Sequence, residues 1–168
     1  MSVIGEAVPR WHTREDSGIR LDRELCWWHD DARVEHPRII EAFNAGLVPT
    51  DDGRYQLRIG KDWCYVTVED AAYAVTVVDV EPEGRLSLRL SDRTAEALDL
   101  KTLVLNADGI LECRVKGGRA KARFSRDAQF ALGSRMEEEE GGLFLCAGGE
   151  RVQLQAASSK GESATFRT

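Results

Sequence analysis

A chain of 168 residues can form its own hydrophobic core, because a fold of this size buries about 70% of its extended-chain surface. Hydrophobic residues make up 42% and charged residues 31%, which excludes a largely disordered protein. The net charge of -6 argues against general coating of nucleic acid, although it leaves room for a local basic patch.

In chain order, residues 1–17 are polar and without periodicity, so they are predicted to form a flexible N-terminal arm. Strand-like alternation begins at residues 19–21. Two β-like runs then flank Asp30-Asp31-Ala32, which predicts a hairpin. Pro37 suits the first position of a helix, because its missing N–H would have no partner there. The apolar stripe of that helix consists of Ile39, Ile40, Phe43 and Leu47.

A second hairpin and a meander are predicted after this helix. The turn at residues 51–53 leads into alternating strands at 55–59 and 64–68. Strands at 75–80, 86–91 and 103–105 follow, with at most a helical turn at 94–98.

The same order then recurs. Gly117-Gly118 separates two alternating runs, which is a strong signal for a two-residue hairpin turn. Ser125 is expected to cap a helix whose stripe is Ala128, Leu132 and Met136. The acidic run 137–140 is placed at the end of that helix, and a closing hairpin follows.

Matching turns support an internal repeat. Gly53 and Gly141 are 88 positions apart, as are Gly60 and Gly148. The predicted fold class is α+β: mostly antiparallel β-sheet with two short helices, built from two related hairpin-helix-hairpin units. The first repeat with the meander is assigned to residues 18–104, the second repeat to 105–156, and a flexible C-terminal tail to 157–168.

The four cysteines are far apart and include no CxxC pair, which favours reduced, buried thiols over a metal or redox site. They are Cys26, Cys64, Cys113 and Cys146. No apolar run is long enough for a signal peptide or a membrane span. We therefore expect a cytoplasmic protein without membrane contact, cofactor or metal.

Over roughly residues 18 to 155, the chain resembles the bacterial domain-of-unknown-function family 1285. The resemblance rests on Trp28-His29, Pro37-Arg38-Ile39-Ile40, Phe43, Asp52-Gly53-Arg54-Tyr55, Leu57-Arg58-Ile59-Gly60, Val68-Glu69-Asp70 and the second hairpin with its helix. It implies a β-rich α+β fold made from a repeated motif, with a loose suggestion of signalling or partner binding. It supplies no catalytic residues. Asp31 stands where a glycine is expected in the first turn, and aspartate tolerates such backbone geometry.

The second hairpin carries an unusual concentration of cations. Residues two apart in a strand share a face, and the Gly-Gly turn sets cations opposite one another. The predicted basic face consists of Arg114, Lys116, Arg119, Lys121 and Arg123. Directly opposed like charges cost up to about 1 kcal/mol each. The acidic run 137–140 is the simplest compensation, within one chain or between the two copies of a homodimer.

The leading hypothesis is a non-catalytic binding or protein-interaction module. Its partner would be an unknown protein or an anionic small molecule, held by the basic face or in a cleft between the units. Trp28 and His29 complete the predicted binding residues, although Trp28 also suits a core anchor.

Two alternatives stay open. The first is a small hydrolase or transferase using His29, Asp30 and His36, which have acid–base chemistry but no metal-ligand spacing. The second is weak nucleic-acid binding through residues 114–123, which lack the interleaved aromatics that stack bases.

Overall fold

The computed structural model describes residues 12–156, so the predicted tail and residues 1–11 of the predicted arm lie outside the described residues. The chain divides into two compact units, Met1–Glu69 and Asp70–Thr168. The meander thus belongs with the second unit, whereas the sequence placed it with the first. No helix in the part described is long and apolar enough to cross a membrane.

The described residues 12–69 of the first unit form a six-stranded sheet with one helix. Its elements are β1 (Ile19–Leu21), β2 (Trp27–His29), β3 (Ala32–Arg33), α1 (Pro37–Gly46), β4 (Leu47–Pro49), β5 (Tyr55–Ile59) and β6 (Asp62–Val68). The strand order is β3-β2-β1-β6-β5-β4, and only β1 and β6 run parallel among its pairs. Helix α1 begins at Pro37 as predicted.

Trp27 anchors the first unit. Its side chain is only 1% exposed. The indole N–H donates to Asn44 Oδ1 at 2.8 Å, and its ring meets the edge of Phe43 at 5.3 Å. Both partners lie on α1, so Trp27 ties the helix to the first hairpin. Trp28, suggested as the core anchor, is only half-buried because alternate strand residues face opposite sides.

Within the second unit, residues 70–156 form two sheets. Its elements are β7 (Tyr73–Val80), β8 (Leu86–Leu90), β9 (Ala95–Ala97), a 3₁₀ turn (Leu100–Thr102), β10 (Val104–Leu105), β11 (Leu111–Val115), β12 (Ala120–Phe124), α2 (Arg126–Gly133), β13 (Met136–Glu139), β14 (Gly142–Ala147), β15 (Glu150–Gln153) and β16 (Gln155–Ala156). The larger sheet has the order β16-β10-β11-β12-β7-β8-β9, and the smaller has the order β13-β14-β15.

Two local predictions in this unit are wrong. Residues 95–97 form β9, which pairs with β8, and not a helical turn. Helix α2 ends at Gly133, so Met136 and the first three glutamates of the acidic run form β13 instead of extending the helix. Most of β13 is exposed, so its glutamates stay in contact with solvent.

The repeat is visible in the strand pairing. Leu57 pairs with Cys64 in the first unit, and Leu145 pairs with Val152 in the second, 88 positions later. In each unit a hairpin precedes the helix, and a late strand runs parallel to an early one: β6 with β1, and β16 with β10. The α+β class with two related units is therefore confirmed.

Candidate functional site

A polar cleft lies within the first unit. It has a volume of about 590 Å³, in the range typical of small-molecule sites. Its walls are the segment 15–20, the hairpin turn 30–31, the turn at 53–55 and residues 65–68 of β6.

Residues at the end of the predicted arm build one wall of this cleft. The Tyr65 N–H donates to the Arg14 carbonyl at 2.7 Å. The Ser17 hydroxyl donates to the Tyr65 carbonyl at 2.6 Å and accepts from the Ile19 N–H at 3.1 Å. Residues 14–17 are therefore held along β6, and the Ser17 hydroxyl is committed to backbone groups.

Carboxylates outnumber guanidinium groups in the cleft. The acidic lining residues are Glu15, Asp16, Asp30 and Asp31, and the basic ones are Arg20 and Arg54. Arg20 also pairs at 3.0 Å with Glu69, a carboxylate outside the lining. The cleft is therefore net acidic.

Arg54 is fixed in place by three neighbours. It pairs with Glu15 at 3.0 Å and with Asp52 at 2.9 Å, and its guanidinium stacks 3.6 Å from the centre of the Tyr65 ring. Hydrogen bonds from Thr50 and Arg54 lower the pKa of Asp52 to about 2. This rim of the cleft is thus ordered by charge-assisted contacts.

His12, His29 and Asp30 converge at the hairpin turn. Asp30 Oδ2 lies 3.0 Å from His12 Nε2 and 4.0 Å from His29 Nε2. His29 and Asp30 therefore lie close together, as the hydrolase or transferase alternative requires. The third histidine differs: His36 caps α1, where its Nδ1 accepts the Arg38 N–H at 3.3 Å. His12 was missed because it lies in a segment without periodicity.

Trp28 is held near the same hairpin by a polar contact. Its indole N–H donates to Asp22 Oδ2 at 2.7 Å, and Arg20 stacks over its ring at 4.7 Å. Burial alone would raise the pKa of Asp22, but hydrogen bonds from the Cys26 backbone and Trp28 bring that pKa below its ordinary value. Trp28 thus has a structural role beside the cleft.

The basic hairpin has the predicted register. Glu112 lies opposite Arg123, and Arg114 lies opposite Lys121. Lys121 forms ion pairs with Asp70 and, at 3.4 Å, with Glu112. Part of the positive charge is therefore neutralised within the second unit.

Lys116 does not project with Arg114. A φ of 55° at Lys116 interrupts the strand alternation. Its ammonium lies 2.6 Å from Asp92 Oδ2 and 5.1 Å from the centre of the buried Tyr73 ring. Lys116 therefore stabilises the interior, and Arg114 and Arg119 are the exposed cations of the predicted set.

The acidic run finds a partner in its own sheet. Arg151 on β15 pairs with Glu139 at 2.6 Å and with Glu137 at 3.6 Å, and it stacks on the Phe144 ring. These two glutamates are thus compensated locally.

The cysteines differ in burial. All four are free; Cys113 is buried and the other three are half-buried, so the expectation of four buried thiols holds for one. Burial, together with nearby carboxylates, raises the pKa of Cys113 to about 12. Cys113 is therefore an inert core residue.

No protein-family model matches the sequence, and no curated protein matches it. Two crystal structures do. A DUF1285 family protein from Silicibacter pomeroyi superposes with a TM-score of 0.61 at 19% identity, covering 82% of this chain and 79% of that one. A DUF1285 family protein from Shewanella baltica gives 0.50 at 19% identity, over 68% of this chain and 89% of that one.

The chain has the DUF1285 fold. The resemblance inferred from the sequence is thereby confirmed at the level of the fold. DUF1285 denotes a domain of unknown function, so these two structures assign no activity to the fold. The chemistry of the cleft is therefore the basis for a functional proposal.

Proposed function

We propose that the protein is a non-catalytic binding module whose first-unit cleft takes a small cationic ligand. The observation that carries this proposal is the excess of carboxylates over guanidinium groups in a cleft of suitable volume. Complementary charge gives such a site specificity and a fast association rate.

The positions of the carboxylates support this assignment. Asp31 is exposed at the hairpin turn, and Asp30 lies beside it. The guanidinium of Arg54 already covers the Tyr65 ring at the rim, so the carboxylates carry the attraction for a ligand cation. A ligand ammonium would meet the carboxylate oxygens of the hairpin turn.

Binding is favoured over hydrolysis by a serine nucleophile because the Ser17 hydroxyl in the cleft wall already donates to a backbone carbonyl. The Ser17 hydroxyl donates a hydrogen bond to the Tyr65 carbonyl, and the residue as a whole is 7% exposed. A serine nucleophile instead needs to give its proton to a base such as histidine. The geometry therefore supports a site that holds a ligand without attacking it.

The basic hairpin is a weaker candidate for the anionic partner predicted from the sequence. Lys116 and Lys121 already form ion pairs inside the second unit, which reduces the charge available to a ligand. That prediction now rests on the exposed Arg114 and Arg119.

The test uses spermidine as a cationic probe and succinate as an anionic one, both titrated calorimetrically into the full chain. Asp31→Lys should weaken spermidine binding about fivefold, since the lost exposed charge pair contributes up to about 1 kcal/mol and the new lysine also repels the ligand. Asp108→Lys is the matched control, because Asp108 is an exposed turn aspartate in the second unit and the net charge changes equally.

Preferential binding of spermidine, weakened about fivefold in Asp31→Lys and unchanged in Asp108→Lys, supports the proposal. Equal weakening by both substitutions, or no spermidine binding below about 1 mM, overturns it.

A further inference from the structure

We infer that His12, His29 and Asp30 form a binding site for a divalent transition-metal ion such as Zn²⁺. This inference goes beyond the cationic ligand proposed above, and it rests on the side-chain geometry at the hairpin turn. The three residues come from two separate segments, residue 12 and the turn at 29–30, so the fold brings them together.

The distances suit a shared ion. One donor atom from each residue lies within 4.8 Å of the other two. Metal–ligand distances of about 2.1 Å place neighbouring ligands roughly 3.0 to 3.4 Å apart in octahedral or tetrahedral geometry. The His12–Asp30 separation of 3.0 Å already satisfies this. His29, whose side chain is 51% exposed, has the freedom to close the remaining gap.

The backbone at Gly18 leaves space for the side chains of Asp30 and His12. A Cβ at Gly18 would collide with Asp30 Oδ1 and come within 2.8 Å of His12 Cε1. Gly18 has a φ of +71° and Asp30 a φ of 52°, both in the left-handed region. The Asp30 N–H donates to the Gly18 carbonyl at 2.8 Å, which fixes the carboxylate above the glycine.

The donor chemistry selects the class of ion. Two imidazoles and one carboxylate suit Zn²⁺ and its first-row neighbours, whereas Mg²⁺ and Ca²⁺ prefer all-oxygen sites. Three protein ligands leave a coordination position for water or another ligand. Asp30 also lines the cleft, so that position would be reached from solvent in the cleft.

The experiment measures metal binding by the full chain after removal of metals with EDTA. Calorimetric titration with ZnCl₂ should give one site with a dissociation constant below about 100 μM. His12→Gln and His29→Gln should each weaken binding at least about tenfold. His36→Gln is the matched control, because His36 is the remaining histidine of the chain and caps α1.

Titration with Co²⁺ identifies the ligands by their spectrum. Weak visible bands without strong near-ultraviolet thiolate absorption support imidazole and carboxylate ligation. A strong thiolate band places the ion on cysteine instead and overturns the inference. An equal loss of zinc affinity in all three histidine variants also overturns the inference, and so does a failure to detect any zinc binding.

A measurement on the unchanged protein covers the case in which a variant fails to fold. Zn²⁺ should protect His12 and His29 from modification by diethyl pyrocarbonate and leave His36 unprotected. Uniform modification of the three histidines with and without zinc contradicts the site. Spermidine binding to the cleft needs no metal ion, so failure of the zinc site leaves the cationic-ligand proposal standing.

Discussion

Replacing Lys116 by methionine tests whether the second hairpin is built for stability. The Lys116 ammonium donates to Asp92 Oδ2 at 2.6 Å and to Thr94 Oγ1 at 2.7 Å. The two charged side chains are 18% and 6% exposed. Methionine keeps much of the length of lysine and removes its charge, so Asp92 would be left buried without a counter-ion.

The expected loss is about 2–3 kcal/mol of unfolding free energy. Removing one partner of a fully buried pair costs about 3–5 kcal/mol, and residual exposure of Lys116 reduces that figure through solvent screening. With a urea dependence of about 1–3 kcal/mol per molar, the unfolding midpoint should fall by roughly 1–2 M. Circular dichroism during urea unfolding measures this shift.

Arg114→Met is the control, because Arg114 is an exposed cation on the same hairpin. Its effect should stay within about 0.5 kcal/mol. Adding Asp92→Asn to Lys116→Met should recover part of the loss, since no buried charge then remains. Equal effects of Lys116→Met and Arg114→Met would refute the assignment of Lys116 to the interior.

The same pair sets a pH dependence. Burial raises the pKa of Asp92, but the hydrogen bonds from Lys116 and Thr94 lower it below its ordinary value. A lowered folded-state pKa contributes stability above the unfolded value of about 3.9, and this stability disappears as the pH falls through the folded-state pKa. The difference between wild type and Lys116→Met should therefore shrink in acid.

Two further predictions concern single positions. Cys113 is 2% exposed and its pKa is raised to about 12, so it should react with a thiol reagent only after unfolding. Half-buried Cys26 should react in the native protein. Mass spectrometry of alkylated peptides measures this difference, and labelling of Cys113 in the native protein would contradict it. Gly18→Ala should lower the melting temperature of the protein more than Gly109→Ala. Both glycines have a positive φ, but only a Cβ at position 18 would collide with neighbours, among them Asp30. Equal thermal shifts of the two variants would show that the close approach of Asp30 to Gly18 is unimportant.

Local chemistry made much of the fold predictable. The Gly117-Gly118 turn fixes the register of the second hairpin, and Pro37 and Ser125 mark the helix starts. The 88-residue offset between matching glycines predicted the repeated strand pairing, in which Leu57 pairs with Cys64 and Leu145 pairs with Val152. These features depend on residues close together in sequence, where turn and capping preferences decide the structure.

The rest of the fold and of the cleft depends on contacts between residues that are distant in sequence. Residues 95–97 become a strand because β8 offers an edge, and their own composition does not require it. His12 joins Asp30 only because Ser17 fixes the preceding segment on Tyr65. Lys116 leaves the predicted face because its φ is positive and Asp92 lies beneath it. None of these contacts has a local sequence pattern.

The most direct test of the central claim is residue-resolved NMR of the full chain during a spermidine titration. Concentration-dependent shifts are expected for backbone amides around the cleft, at Gly18, Arg20, Asp30 and Asp31, with the hairpin residue Arg119 unaffected. Shifts confined to the acidic run 137–140 or to the basic hairpin, with the cleft unchanged, would contradict the claim that the first unit carries the binding site.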